Sequence, residues 1–119
     1  MYICPMYSKE LLKGTLQTII LKLLDEHERM YGYEITQKVK EESEGKILIT
    51  EGALYPTLHK LESRGLVTTE KVYIGKRVRK YYRITQSGGA LAKAKLKEFS
   101  EFIETMNLVL DLKPSLKPK

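Results

Sequence analysis

Apolar residues recur at three- and four-residue spacing from Lys9 to Glu26. Leu12, Leu16, Ile19, Ile20, Leu23 and Leu24 fall on one helix face. The spacing predicts one helix there, with Ser8 as its N-cap. A shorter helix is predicted from Gly32 to Ser43, where Ile35 and Val39 lie a turn apart and Tyr31 a turn before them. The polar run Glu41 to Gly45 ends it, and Ile47-Leu48-Ile49 reads as a short extended apolar piece. Thr50 suits the N-cap of a third helix, with Glu51 against the positive end of its dipole. Leu54, Leu58 and Leu61 form its narrow apolar stripe, and Gly65 fits the left-handed position that closes it. Pro56 removes the amide that would bond to the carbonyl of Gly52, so a tight or bent first turn is expected.

From Leu66 the period changes to two. Leu66 to Ile74 and Arg77 to Thr85 are rich in Val, Ile, Thr and Tyr and flank Gly75-Lys76. A two-residue loop with Gly first is the composition of a type II′ hairpin turn. It sets Tyr73 opposite Val78, Lys71 opposite Lys80, Thr69 opposite Tyr82 and Val67 opposite Ile84. Val67, Tyr82 and Ile84 then face the core, and Glu70 and Val72 share the other face with Arg79, Tyr81 and Arg83. A last helix begins near Thr85 and ends before Pro114. Ala92, Leu96, Phe99, Ile103, Met106 and Leu110 are spaced 4, 3, 4, 3, 4 along it, and Phe102 and Val109 widen that stripe.

The order helix, helix, helix, hairpin is that of a winged helix-turn-helix. The expected fold class is mainly α with a small β-hairpin (α+β), followed by a C-terminal dimerisation helix. The expected organisation is a DNA-binding domain over residues 1–85, the dimerisation helix over 86–112 and a disordered basic tail over 113–119. At 42% hydrophobic residues the chain can build a modest core and lies far from disordered compositions.

The net charge of +6 matters through its placement. Leu66 to Thr85 holds Lys71, Lys76, Arg77, Arg79, Lys80 and Arg83 against one acid, Glu70. Lys113, Lys117 and Lys119 add a basic tail, and the rest of the chain is net acidic. A basic finger of this kind suits a polyanion. B-DNA admits a helix into its major groove and a hairpin along its backbone or minor groove. The third helix leaves Gly52, Tyr55, Thr57, His59 and Lys60 at its surface or margin. The candidate DNA contacts are therefore Thr50, Gly52, Tyr55, Thr57 and Lys60 on the helix and Lys76, Arg77 and Arg79 on the hairpin. Packing on the neighbouring helix is the alternative role for Tyr55, and solvation is the alternative for the others.

So small a domain has little core left to cover the C-terminal stripe, and exposed it would mark an association site; a helix folded back on its own domain is the alternative. Leu96, Phe99, Ile103, Met106 and Leu110 are the candidate dimerisation residues, with Leu12 and Leu16 of the first helix as a second layer. A two-fold dimer is the simplest closed solution.

The strings YGYEI (31–35), EGALYPTLHKLESRGLV (51–67) and KYYRITQSG (80–88), led by LLKGTLQTIILKLL (11–24), resemble the PadR-type transcriptional regulators. The Leu54-Tyr55-Pro56 element is the most specific, and Pro56 is what the family carries there. The resemblance implies a winged-helix repressor fold, a homodimer and a palindromic operator. The length resembles the branch with a single C-terminal helix. Some short members resemble multidrug sensors with a tryptophan-lined pore at the dimer centre. This chain has no Trp; Phe99 and Phe102 are the nearest substitutes and mark a candidate effector pocket, the effector being open.

Other chemistry finds little footing. His27, His59 and Cys4 lack metal-ligand spacing, no Gly-rich phosphate loop occurs, and no serine sits in a nucleophile elbow. No enzyme activity, metal or cofactor is expected. No apolar run approaches the ~18 residues of a membrane helix, and the N-terminus does not read as a signal peptide. A single cysteine precludes an internal disulfide and fits the cytoplasm. Two other readings stay open: a winged-helix protein-interaction module, and a sensor whose main role is ligand binding at the dimer centre.

Overall fold

A computed structural model of the chain describes residues 7–112. The expectations placed on Cys4 and on the basic 113–119 tail lie outside the described residues. The elements in order are α1 (Lys9–Lys13), α2 (Leu16–Glu26), β1 (Met30–Tyr31), α3 (Gly32–Glu42), α4 (Glu51–Ser63), β2 (Val67–Ile74), β3 (Arg77–Ile84) and α5 (Gln86–Leu110).

The single helix expected from Lys9 to Glu26 is two. Ser8 caps α1 as predicted, its hydroxyl accepting from the amide of Leu11 at 3.2 Å. The break at Gly14-Thr15 has a local cause. The amide and the hydroxyl of Thr15 both donate to the carbonyl of Leu12, at 3.0 and 2.9 Å. That tight three-residue turn, next to a glycine that weakens any helix interior, interrupts the ladder. Apolar periodicity runs through the break, so the pattern could not show it.

The helix α4 follows its sequence closely. Thr50 accepts from the amide of Ala53 at 3.2 Å. The first turn is tight, with Ala53 donating to the Thr50 carbonyl at 3.1 Å, and the helix runs on through Pro56. At its end Gly65 has φ +75°. The amide of Leu66 bonds to the Leu61 carbonyl at 2.9 Å and that of Gly65 to Glu62 at 3.0 Å, a Schellman closure.

The hairpin has the register that a two-residue Gly75-Lys76 loop dictates: Tyr73 faces Val78, Lys71 faces Lys80, Thr69 faces Tyr82 and Val67 faces Ile84. Gly75, at φ +63°, supplies the left-handed residue the turn needs. A short strand the periodicity could not register, β1, pairs antiparallel with β3 through Met30 and Tyr82 and through Tyr31 and Tyr81, giving the sheet order β1-β3-β2.

The core lies where these elements meet. Ile20, Leu21, Leu23 and Leu24 of α2 pack with Ile35, with Leu54, Leu58 and Leu61, and with Val67 and Tyr82 of the sheet. Each such side chain contributes roughly 1.5–3 kcal/mol by leaving water, so the Leu54-Leu58-Leu61 stripe fixes which face of α4 stays outside. Thr85 ties α5 to this core. Its hydroxyl donates to the Gly65 carbonyl at 2.8 Å and accepts from the amide of Gly88 at 3.0 Å. Beyond buried Ala92, α5 runs outward and its apolar stripe is open: Phe102 is 53% exposed and Leu110 58%.

Candidate nucleic-acid interface

The outer face of α4 carries Gly52, Tyr55, His59 and Lys60 in the open and Thr57 half-buried. Two of the predicted contacts have local duties as well. The Thr50 hydroxyl caps the helix, and the Thr57 hydroxyl donates to the Ala53 carbonyl at 2.9 Å. Lys60 has no such tie. Tyr55 packs on the neighbouring helix, its ring lying against Gly32 at the start of α3, and stays 37% exposed. It also neighbours Tyr82, whose phenol is pushed above its ordinary pKa chiefly by burial and then by Tyr55.

The hairpin projects beyond the core beside this helix. Its one acid is already matched. Arg29 reaches Glu70 at 3.1 Å and Arg83 reaches it at 3.2 Å, while Arg83 also meets Glu28 at 3.4 Å. The hydrogen bond from Arg29, ahead of that from Arg83, holds the Glu70 carboxyl below its usual range against the opposing effect of burial. Lys71, Lys76, Arg77 and Lys80 therefore extend past a balanced base, and no acidic partner pairs with them among the described residues.

Arg79 differs from its neighbours. Its guanidinium lies over the ring of Tyr31 at 4.1 Å, and it donates to the Tyr81 hydroxyl at 3.5 Å. That bond, the first cause, raises its pKa further. Tyr81 in turn meets Tyr31 edge to face at 5.5 Å and receives Arg29 over its ring at 4.0 Å. Alternating Arg and Tyr side chains thus brace the outer face of the sheet. The short β1 strand creates this arrangement by bringing Arg29 and Tyr31 alongside β3.

Of the candidate DNA contacts, Tyr55 of α4 and Arg77 and Arg79 of the hairpin line one trough of about 560 Å³, together with Tyr31, Tyr33, Lys80 and Tyr82. Thr50, Gly52 and Thr57 line a separate groove, and Lys60 and Lys76 stand exposed outside both. The candidate effector residues Phe99 and Phe102 line neither this trough nor the larger groove. That groove, of about 760 Å³, lies between α1, the start of α2 and the start of α4, with Leu12, Leu16, Ile19, Ile47, Ile49 and Pro56 on its walls. Leu16 also packs on the core of its own chain. The other candidate dimerisation residues, Leu96, Phe99, Ile103, Met106 and Leu110, follow one another along the outer half of α5. Among the described residues no cluster of His, Cys, Asp or Glu could hold a metal ion, and no helix is long and apolar enough to cross a membrane.

Comparison with known proteins bears on what this arrangement serves. The family model of the transcriptional regulator PadR-like family matches residues 20–94, from α2 into α5. An uncharacterized protein of Lysinibacillus sphaericus is 34% identical over a 110-residue alignment that covers 89% of this chain and 97% of that protein. A transcriptional regulator from Clostridium thermocellum is similar in structure, with a TM-score of 0.77 at 32% identity over 82% of this chain and 95% of that one. A PadR family transcriptional regulator from Eggerthella lenta gives 0.77 at 30% identity over 87% and 88%. Sequence, fold and chain length agree, and the chain belongs to the PadR-like family of transcriptional regulators.

Proposed function

We propose that the chain is a sequence-specific double-stranded DNA-binding regulator, acting in the cytoplasm as a homodimer on an inverted-repeat operator, with repression as its mode. The observation that carries this reading is the pairing of two surfaces. The free face of α4 lies beside a hairpin whose cations outlast its one acid. In this reading α4 enters a major groove about 12 Å wide. Gly52, Tyr55, Thr57 and Lys60 meet base edges there, and Thr50 at the helix start meets phosphate. Lys76 and Arg77 at the hairpin tip meet the backbone or minor groove. The dimer forms through the open stripe of α5, with Leu12 and Leu16 as a second layer, and sets the two α4 helices about 34–36 Å apart. Retention of the purified chain on a random duplex at low salt, lost as salt rises, is the first test; a chain that passes through unretained does not bind DNA by this surface.

A sensing role is compatible with this one and is favoured by a specific feature, the 760 Å³ apolar groove whose wall includes Pro56 and Thr57 of α4. A small apolar effector seated there would touch the reading helix directly. Titration of DNA-bound protein with apolar aromatic compounds tests it, with release of duplex as the expected result.

A further inference from the structure

The trough between α3 and the hairpin has a composition the core does not explain. Tyr33 is 63% exposed on the first turn of α3, with its ring stacked at 6.5 Å and 20° on that of Tyr31. Tyr55 closes the floor against Gly32. The far wall is the part of β3 from Arg77 to Lys80. There β3 is paired along one edge only, with β2, because β1 reaches no further along β3 than Tyr81 and Tyr82. The Lys80 ammonium lies 5.6 Å from the centre of the Tyr82 ring, and both residues line the trough.

Four phenols and three cations line this space without an acid. The Glu34 carboxylate, on the first turn of α3, accepts from the amide of Tyr31 at 3.1 Å. Among the described residues neither the Tyr33 nor the Tyr55 hydroxyl is engaged by a protein partner, whereas the Tyr81 hydroxyl is held by Arg79. Free hydroxyl donors beside fixed cations suit an anion with several acceptor oxygens. A phosphodiester of a strand running between the reading helix and the hairpin has that chemistry, and an open trough admits a continuous chain where a closed pocket would not.

We propose that this trough clamps one backbone phosphate per half-site, with Tyr33, Tyr55 and Lys80 as its ligands and Arg79 as a positioning residue that holds Tyr31 and the hairpin at the right separation. The clamp rests on the DNA-binding reading above. It adds Tyr33 and Lys80 to the interface, moves Tyr55 from a base edge to the phosphate, and assigns Arg79 a role other than phosphate contact.

The test uses the full chain and a duplex it retains, with affinity measured by fluorescence anisotropy across a salt series. Lys80→Gln should lower the slope of log affinity against log salt by about 0.9, the value for one lost phosphate contact. Tyr33→Phe, which keeps the stacked ring, should weaken binding roughly two- to tenfold with the slope unchanged, equally on preferred and random sequences. Arg79→Lys, which keeps the charge but not the flat stack on Tyr31, should weaken binding, also at constant slope. A neutral methylphosphonate placed at each backbone position in turn should reveal one position per half-site at which Tyr33→Phe and Lys80→Gln cause no further loss. Wild-type binding with both variants unaffected overturns the clamp and leaves the DNA-binding reading standing; the cations would then only guard an open strand edge. A wild-type chain that binds no duplex overturns both.

Discussion

The phenol ring of Tyr55 on α4 rests against Gly32, the first residue of α3, so closely that a Cβ there would collide with it. The helix that reads DNA in the proposed complex is thus indexed to its neighbour by a glycine. Gly32→Ala should displace the ring and cost about 1 kcal/mol of stability, the low end for overpacking because the clash meets the far end of a side chain. In a Tyr55→Ala background the same change should cost nothing, since alanine is the better helix former. Thermal melts of the four proteins check this; equal costs in both backgrounds would show that the contact is not what excludes a side chain.

The hairpin tip provides a second prediction. Lys76 and Arg77 have no acidic partner among the described residues and stand beyond the Glu70 cluster. Their joint replacement by Ala should flatten the salt dependence of duplex binding by up to about two units, at about 0.9 per phosphate. All sequences should weaken alike. An unchanged slope in a folded double variant would remove the tip from the interface.

Lys60 and Thr57 separate reading from holding. Lys60 is exposed and untied, whereas the Thr57 hydroxyl is spent on Ala53. Lys60→Ala should cost roughly 1–3 kcal/mol on the preferred site if it contacts a base edge, and less on random duplex. Thr57→Ala should cost less than Lys60→Ala. Competition titrations with both duplexes measure the difference, and equal losses on the two would demote Lys60 to a backbone contact.

The Glu70 cluster predicts a pH dependence. Its carboxyl is held below the usual value of 4.5 by Arg29 and Arg83, so the folded state favours the ionised form. That stabilisation is present above the unfolded pKa and is lost as pH falls through the lower folded one. Wild type should melt above Glu70→Gln near pH 6, and the gap should close towards pH 3. The gap should be small, since the group is solvent-exposed and screened. A gap that widens on acidification would contradict the pairing.

Much of this was legible in the sequence for reasons that can be named. The Gly75-Lys76 loop fixes every cross-strand pair of the hairpin, because a one-residue slip would turn Val67 and Tyr82 away from the core. The stripe of α4 and its caps at Thr50 and Gly65 follow from local chemistry alone. The break at Thr15 was hidden, since Leu12 and Leu16 keep helical spacing across it. The two-residue β1 strand was too short to show a period. With it went the partners of Arg79 and Glu70, because Arg29 and Tyr31 reach them only through pairing distant in sequence. Tyr33 stands within the YGYEI string, but nothing local says that its hydroxyl faces a trough. The α5 stripe was legible as a pattern and stays open in the single chain.

The central claim is that two copies, joined through that stripe, read an inverted repeat. Selecting bound duplexes from a random pool tests it most directly, with wild type and with the Ile103→Asp, Met106→Asp variant run in parallel. Wild type should enrich an inverted repeat with half-site centres about one turn, or 34–36 Å, apart, and the variant, monomeric in sedimentation, should enrich nothing. Enrichment of a single asymmetric site by wild type, or of the same repeat by a variant that no longer dimerises, would contradict it.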